Sequence, residues 1–387
     1  MDLDLDTARA AFEHSTDFTV GLEEEFALLD GTDLGLVGRF EELRNAAMAD
    51  PVLAESVAGE LISSEIEIRS GRGEDLAAAT AAQRERRRRL FALAADRGLA
   101  LGATGTHPWS DYREQHIIDT DHYHRVQEGL QYVAWRNNAF SLHVHVGIHG
   151  ADRAVLVCDR LRPVLPLLLA ISANSPFLDG RDSGLHSARS QIFTRSFPRC
   201  GVPDAFGGWD AFAQYIDFLV RTSSIVEYTQ VWWSVRPHFA FGTVEVRICD
   251  AQATAPEADG LAALIVACVA QAARDVDAGV PAIDLPGRLI EENLWRAIRH
   301  GLEGEMLDLD RGEPYPASEA VERLLSWTAP VRSELGIDVA LPPLNGAQRQ
   351  RRMIEAGVDM REIFASVVAQ TRETYAGVLG STAEVIG

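Results

Sequence analysis

The sequence contains no lysine; all 36 of its basic residues are arginine. That absence excludes several chemistries. A phosphate-binding loop of the form GxxxxGK[ST] needs its lysine, a protein kinase needs its strand lysine, and Schiff-base catalysis needs a lysine amine. Any nucleotide phosphate handled here must be held by arginine and metal. Cysteine is also scarce: Cys158, Cys200, Cys249 and Cys268 are widely spaced and form no CxxC pair, so neither a disulfide framework nor a cysteine zinc site is indicated. Positive charge is outweighed, with 57 acids against 36 bases and a net charge of −21. That is the wrong sign for a nucleic-acid or anionic-membrane partner. The longest apolar runs, near 164–173 and 260–273, fall short of the ~20 residues needed to cross a bilayer. The amino-terminal MDLDLDTARA has no signal-peptide pattern, so a cytoplasmic location is expected.

What is present is an ordinary globular composition, 47% apolar and 24% charged, in a chain long enough to bury a large core. Four segments alternate with period two and read as strands: 19–29, 60–72, 141–148 and 242–250. A further strand at 99–109 runs into a loop. Helical patterns cover 75–97, closed by Gly98, then 152–172, interrupted near Pro163 and Pro166, and 209–222. From 257 onward the pattern is almost wholly helical, with helices to near Gly279, at 287–301, at 317–335, and one long helix over 346–377. PAIDLPG at 281–287 is the best candidate boundary, but it is short. The expectation is a single α+β domain over 1–387 with a helical carboxyl-terminal portion packed on it. The run RERRRRL, 84–90, places six consecutive charges over more than one helical turn, so they form no single narrow face. It reads as a solvated helix pairing with surface acids.

Side chains along a strand point alternately to opposite faces. In 242–250, Val244, Val246 and Ile248 share one face; Thr243, Glu245, Arg247 and Cys249 share the other. In 141–148, Leu142, Val144, Val146 and Ile148 oppose Ser141, His143, His145 and Gly147. In 61–69, Ile62, Ile66 and Ile68 oppose Ser63, Glu65, Glu67 and Arg69. In the first strand Leu22, Phe26 and Leu28 oppose Glu23 and Glu25, and Glu24 alone falls among the apolar set, either at an edge or paired. One face on the core and one toward water is the usual design of an antiparallel sheet. A merely solvated face, however, also carries fillers such as Thr and Ser. Here the polar sides are dominated by Glu and His on four separate strands, which points to a shared site.

Carboxylates at i and i+2 on a strand stand about 7 Å apart and repel unless a cation lies between them. Oxygen-rich sites of this kind suit Mg²⁺, and a histidine among the ligands brings in Mn²⁺ as the other candidate. Arg247, beside Glu245, offers a guanidinium that contacts a phosphate through two parallel donors. Metal, arginine and no lysine together indicate phosphoryl transfer by electrostatic stabilisation.

GLEEEF, ELISSEIEIRSG, GTHPW, SLHVHVG, SANSPF, WWSVRPH, GTVEVRICDAQ and NLWRAIRHG occur in this order over about residues 18–352. Each is weak alone, but the ordered set closely resembles the glutamate–cysteine ligase type 2 family. The resemblance implies a glutamine-synthetase-like antiparallel sheet, helices on its outer face, and metals and ATP on its concave face. It implies synthesis of γ-glutamylcysteine or a related amide: ATP phosphorylates a side-chain carboxylate, an amine attacks the acyl phosphate, and ADP and phosphate leave. Carried over residue by residue, it implies metal ligands at Glu23, Glu25, Glu60, Glu67, His143 and Glu245, with Arg247 on nucleotide phosphate and His145 on the same face as His143. Glu60 works only if the chain bends before Glu67; Glu65 is the alternative by face parity.

Other residues leave two readings open. His107 is either a binding or a turn residue of its loop. Arg189 binds the α-carboxylate of glutamate or makes a surface ion pair. Trp232 and Trp233 point to opposite sides of a strand, one to the core and one walling the substrate pocket; Trp233 is assigned here to the pocket. Asn293 and Arg296, at i and i+3 of a helix, contact nucleotide or substrate, or pack the helix. Cys249 is inert. The expected partners are glutamate and cysteine or another amine, and an exposed sheet edge leaves a homo-oligomer open. A metal-dependent hydrolase and a non-catalytic binding protein on the same fold are the alternatives.

Overall fold

A computed structural model describes residues 4–225, 227–283 and 285–377. The alternating segments form one sheet: β1 (Val20–Asp30), β2 (Val57–Ala58), β3 (Glu65–Arg69), β4 (Leu99–Gly102), β5 (Ser141–Gly147), β6 (Val235–His238) and β7 (Thr243–Asp250). The strand order is β6-β7-β5-β1-β3-β2, with β4 paired to the far end of β1, and every pairing is antiparallel. Register then lines up the acids and imidazoles. Glu23 faces Arg69 on one side and His143 on the other, Glu25 faces Glu67, and Glu245 lies between His145 and Arg236.

Thirteen helices are described: α1 (Leu5–Glu13), α2 (Phe40–Ala47), α3 (Leu76–Ala95), α4 (Asp121–Leu130), α5 (Ala151–Leu161), α6 (Leu165–Ser172), α7 (Ala188–Ser196), α8 (Trp209–Arg221), α9 (Ala255–Asp277), α10 (Gly287–His300), α11 (Ala317–Leu335), α12 (Gly346–Glu355) and α13 (Met360–Tyr375). The apolar face of the sheet, including Leu22, Phe26, Ile66, Val144, Val146 and Val244, is buried against helices that include α3, α5 and α9. At its N-terminus α9 is set by a capping box between Thr254 and Glu257. Along its length Leu261, Leu264, Ile265, Val266 and Val269 are buried, each contributing about 1.5–3 kcal/mol. At 23 residues it is long and apolar enough to cross a membrane, more than the 260–273 run suggests, yet most of it is buried inside the protein.

Several expectations are corrected. The strand read over 60–72 is ordered as strand only from Glu65 to Arg69; before it the chain bends, with Ser63 N–H donating to the His116 carbonyl. The helix expected over 346–377 is two, α12 and α13, separated by Gly357 at φ +85°, a conformation that ends a helix, and restarted by the Asp359 cap. A hairpin, β8 (Glu305–Asp308) and β9 (Glu313–Pro316), interrupts the helical region after α10. Within the arginine run of α3, Arg88 and Arg89 do pair with Glu85 on the helix surface, but Arg87 is fully buried. Finally, β7 slips register between Val246 and Cys249. This irregularity turns Cys249 off Arg247's face and into the core, where burial pushes its thiol up to about 12.

Candidate active site

The polar face of the sheet lines a cavity of about 390 Å³, walled by Glu23, Glu60, Glu67, His143, Glu245 and Arg247 among others. His143 is its hinge. Its Nδ1 lies 3.2 Å from Glu23 and its Nε2 3.7 Å from Glu25. Glu25 is fixed by Ser141, whose backbone N–H and hydroxyl both donate to Oε2, at 2.5 and 2.6 Å. His145 Nδ1 lies 3.0 Å from the Thr243 hydroxyl. Its buried Nε2 has no hydrogen-bond partner and lies 3.4 Å from Glu23 and 3.7 Å from Glu245.

Two neighbouring trios of donor atoms, Glu23–His143–Glu245 and Glu25–Glu67–His143, each fall within 4.8 Å. Oxygen donors with one shared imidazole match the ligand preferences of Mg²⁺ or Mn²⁺. The unpartnered His145 nitrogen and the crowded carboxylates fit a divalent cation as well.

Electrostatics divide the acids into two groups. Burial alone would raise Glu23 and Glu245. His145 and His143 instead hold Glu23 well below the usual carboxylate range, and Arg236 and Arg247 do the same for Glu245. The Arg236 Nε donates to Glu245 at 2.5 Å, and Arg247 Nη1 donates to its other oxygen. Glu67 goes the other way, raised by burial and by Glu23 in spite of its hydrogen bond from Arg69. Burial and Glu25 push Glu60 up to about 7. Glu65 is raised well above its ordinary value by burial and by Glu25, and neither of its oxygens has a hydrogen-bond partner. Between Glu60 and Glu65, only Glu60 lines the cavity. The bend before β3 brings it there beside Glu67, while Glu65 lies behind, against Glu25.

Five expected site residues lie elsewhere. Arg189 is buried in α7, donating to the Ile248 and Arg247 carbonyls at 3.1 and 3.3 Å; it braces the irregular stretch of β7 rather than reaching the cavity. His107 lies 2.8 Å from the Leu34 carbonyl, accepts from Ser110 N–H, and packs edge-on against Trp109 and Phe364, which makes it a loop-fixing residue. Trp233 enters the core among Phe206, Phe212 and Tyr215, and Trp232 is the tryptophan that walls the cavity. Asn293 pins the β8–β9 hairpin through both the N–H and carbonyl of Leu307, and Arg296 donates to the Glu305 carbonyl. Both serve the packing of α10.

Residues given no site role from the sequence complete the cavity. Arg69 and Arg236 are its other two arginines, and Tyr123, Phe197 and Glu227 line it with Trp232. Face parity already put Arg69 beside Glu67; Arg236 carried no such signal, since Pro237 breaks the alternation around it.

The fold is that of glutamate–cysteine ligases. The chain superposes on the glutamate–cysteine ligase of Francisella tularensis, solved in complex with AMP, with a TM-score of 0.63 at 13% identity, covering 96% of this chain and 91% of that one. Among curated relatives it is 37% identical over 356 residues to a protein of Rubrobacter xylanophilus provisionally named glutamate–cysteine ligase 2-2, covering 92% of this chain and 91% of that protein. It is 34% identical over 366 residues to one provisionally named glutamate–cysteine ligase 2 in Solibacter usitatus, covering 91% and 93%. The model of glutamate–cysteine ligase family 2 matches residues 19–370, and the chain belongs to that family.

Proposed function

We propose that this protein is an ATP-dependent carboxylate–amine ligase of the cytoplasm that joins the γ-carboxylate of glutamate to an amine. The observation that carries this reading is the pair of donor trios sharing His143, with Arg247 and Arg69 beside them. Glu23, Glu25, Glu60, Glu67, His143 and Glu245 would hold Mg²⁺ or Mn²⁺, which supplies charge neutralisation for a triphosphate. The chain's own contribution is positional and electrostatic. Arg247, with a buried Nε that has no partner, offers a donor to a terminal phosphate. Arg236 and Glu245 lock that guanidinium in place.

The reaction has two steps. A γ-carboxylate oxygen of glutamate bonds to the terminal phosphorus of ATP while the bridging P–O bond breaks, and ADP leaves with the electron pair. The amine nitrogen then bonds to the acyl carbon, the carbon–oxygen bond to phosphate breaks, and the amine gives up a proton. Free glutamate with ATP, divalent metal and cysteine, the acceptor in the family's name, is the first assay. ADP release that requires both glutamate and the amine, and stops with chelator, is the expected result. ADP release indifferent to glutamate overturns the reading.

A further inference from the structure

We propose that Arg69 is a second catalytic arginine, whose terminal guanidinium nitrogens donate to the phosphoryl group as it passes from ATP to glutamate. This rests on the ligase reading above and adds a residue to its first step. Arg69 and Arg247 hold opposite ends of one donor trio. Arg247 donates through Nη1 to Glu245, and the Arg69 Nε lies 3.6 Å from Glu23, in the trio Glu23–His143–Glu245. Their strands, β7 and β3, are separated by β5 and β1, so the two backbones stand about 14 Å apart and the side chains approach the acid row from opposite flanks. Arg69 also donates through Nε to Glu67 of the second trio, Glu25–Glu67–His143. Among the described residues it is the one arginine of the cavity in contact with both trios.

Neutralising Glu67 occupies only Nε of this guanidinium. Neither terminal nitrogen has a hydrogen-bond partner among the described residues, and 45% of the side chain is exposed, against 5% for Arg236 and 15% for Arg247. Arg236, by contrast, engages Glu245 through Nε and Nη2 and the carbonyls of Thr229 and Val231 through Nη1. The exposed end of Arg69 opens on two spaces. One is the cavity described above; the other, of about 440 Å³, is lined by Gly21, Gly71, His145 and Thr243 among others. The two share Glu23, Arg69 and Phe241. A nucleoside triphosphate lying through both brings its phosphates past this guanidinium. As the phosphorus leaves the bridging oxygen of ADP and bonds to the γ-carboxylate oxygen of glutamate, negative charge is spread over its three non-bridging oxygens. Forked, permanently charged donors on two flanks match those oxygens, and guanidinium and metal act together in such transfers.

Two variants test this, Arg69→Lys and Arg69→Met, compared with wild type in glutamate-dependent ADP release. Both are expected to lose about 10²-fold in kcat with the KM for ATP and for glutamate little changed. Arg69→Lys keeps a cation beside Glu67, so its metal-free Tm is expected to match wild type, and it carries the test if Arg69→Met does not fold. Calorimetric titration gives a readout independent of turnover. With Mg²⁺ and glutamate present, ADP alone is expected to bind the variants as it binds wild type. ADP with aluminium fluoride, which stands in for the phosphoryl group in transfer, is expected to bind them about 10²-fold more weakly. Full activity in Arg69→Lys reduces Arg69 to neutralising Glu67 and overturns the proposal. Equal weakening of ADP with and without the fluoride also overturns it, because that pattern marks disturbed metal ligands; both results leave the ligase reading standing. Wild type that releases no ADP in response to glutamate sinks the ligase reading, and the role of Arg69 falls with it.

Discussion

Arg87 reaches from α3 to Glu24 and closes a two-pronged ion pair, Nε to Oε2 at 2.6 Å and Nη2 to Oε1 at 2.9 Å, on the apolar side of the sheet. A third bond joins Arg87 to Asp259 of α9 at 2.7 Å, and Gln83 donates to Glu24 at 2.8 Å. Glu24 is flanked in sequence by Glu23 and Glu25, so the pair fastens β1 from behind at the point where its other face carries the site.

A buried pair is costly to break and cheap to replace whole. Glu24→Gln and Arg87→Met are each expected to destabilise the protein by about 3–5 kcal/mol. The double variant Glu24→Leu/Arg87→Met is expected to recover most of that loss. Urea unfolding of the three variants measures it, and equal losses in single and double variants would contradict the assignment.

The raised carboxyls make stability depend on pH. Glu60 moves from 4.5 to about 7, and Glu67 rises as well. Between those values the folded protein holds protons that the unfolded chain has released, so these carboxyls favour folding less as pH rises through 7. Burial holds His107 and His186 down to about 4 and His238 to about 3, which works in the opposite direction below 6.5, so the Tm of metal-free protein, read by thermal unfolding, is expected to decline on going from pH 7 to pH 8. Adding Mg²⁺ or Mn²⁺ should restore it, most strongly at the highest pH.

Glu67→Gln removes one of the repelling carboxyls. The metal-free variant is expected to have a higher Tm than the wild type above pH 7. Its ligase activity should fall about 10²–10³-fold, and the Tm gain on adding metal should shrink.

Arg247→Lys keeps the charge and loses the fork that engages Glu245 and a phosphate together. A kcat about 10²-fold lower is expected, with little change in unfolding free energy, read from ADP release and urea melts.

The adjacent tryptophans separate stability from binding. Trp233→Ala opens the Phe206–Phe212–Tyr215 cluster and should cost about 3–5 kcal/mol. Trp232→Ala should cost about 1 kcal/mol or less, because its ring borders the cavity.

The strand faces carrying Glu23, Glu25, Glu67, His143, His145, Glu245 and Arg247 were legible because a period of two is a local signal. The fold class followed from them and from the ordered motifs. What was not legible depended on breaks in that period or on neighbours distant in sequence. The irregularity in β7 moved Cys249 to the other face. Glu60 depended on a bend whose partner, His116, lies far along the chain. Asn293 and Arg296 do share a helix face, but helical spacing does not say what that face meets, and the β8–β9 hairpin they hold lies in the stretch between the helices expected at 287–301 and 317–335, where no strand pattern stands out. The cavity wall of Tyr123, Phe197 and Trp232 comes from three separate segments with no common pattern.

The last helix bears on how the protein comes into being. Tyr375, near the end of α13, stacks on Phe91, meets Phe26 edge-on, and donates its hydroxyl to the Gln252 carbonyl at 2.9 Å. A nascent polypeptide that has emerged as far as Asp250 owns every proposed ligand. It still lacks α9 and α13, the hydrophobic backing that keeps β1 in place. Translation must run more than a hundred codons past Glu245 before those acids can be clamped together, so nucleotide capture has to wait for α13.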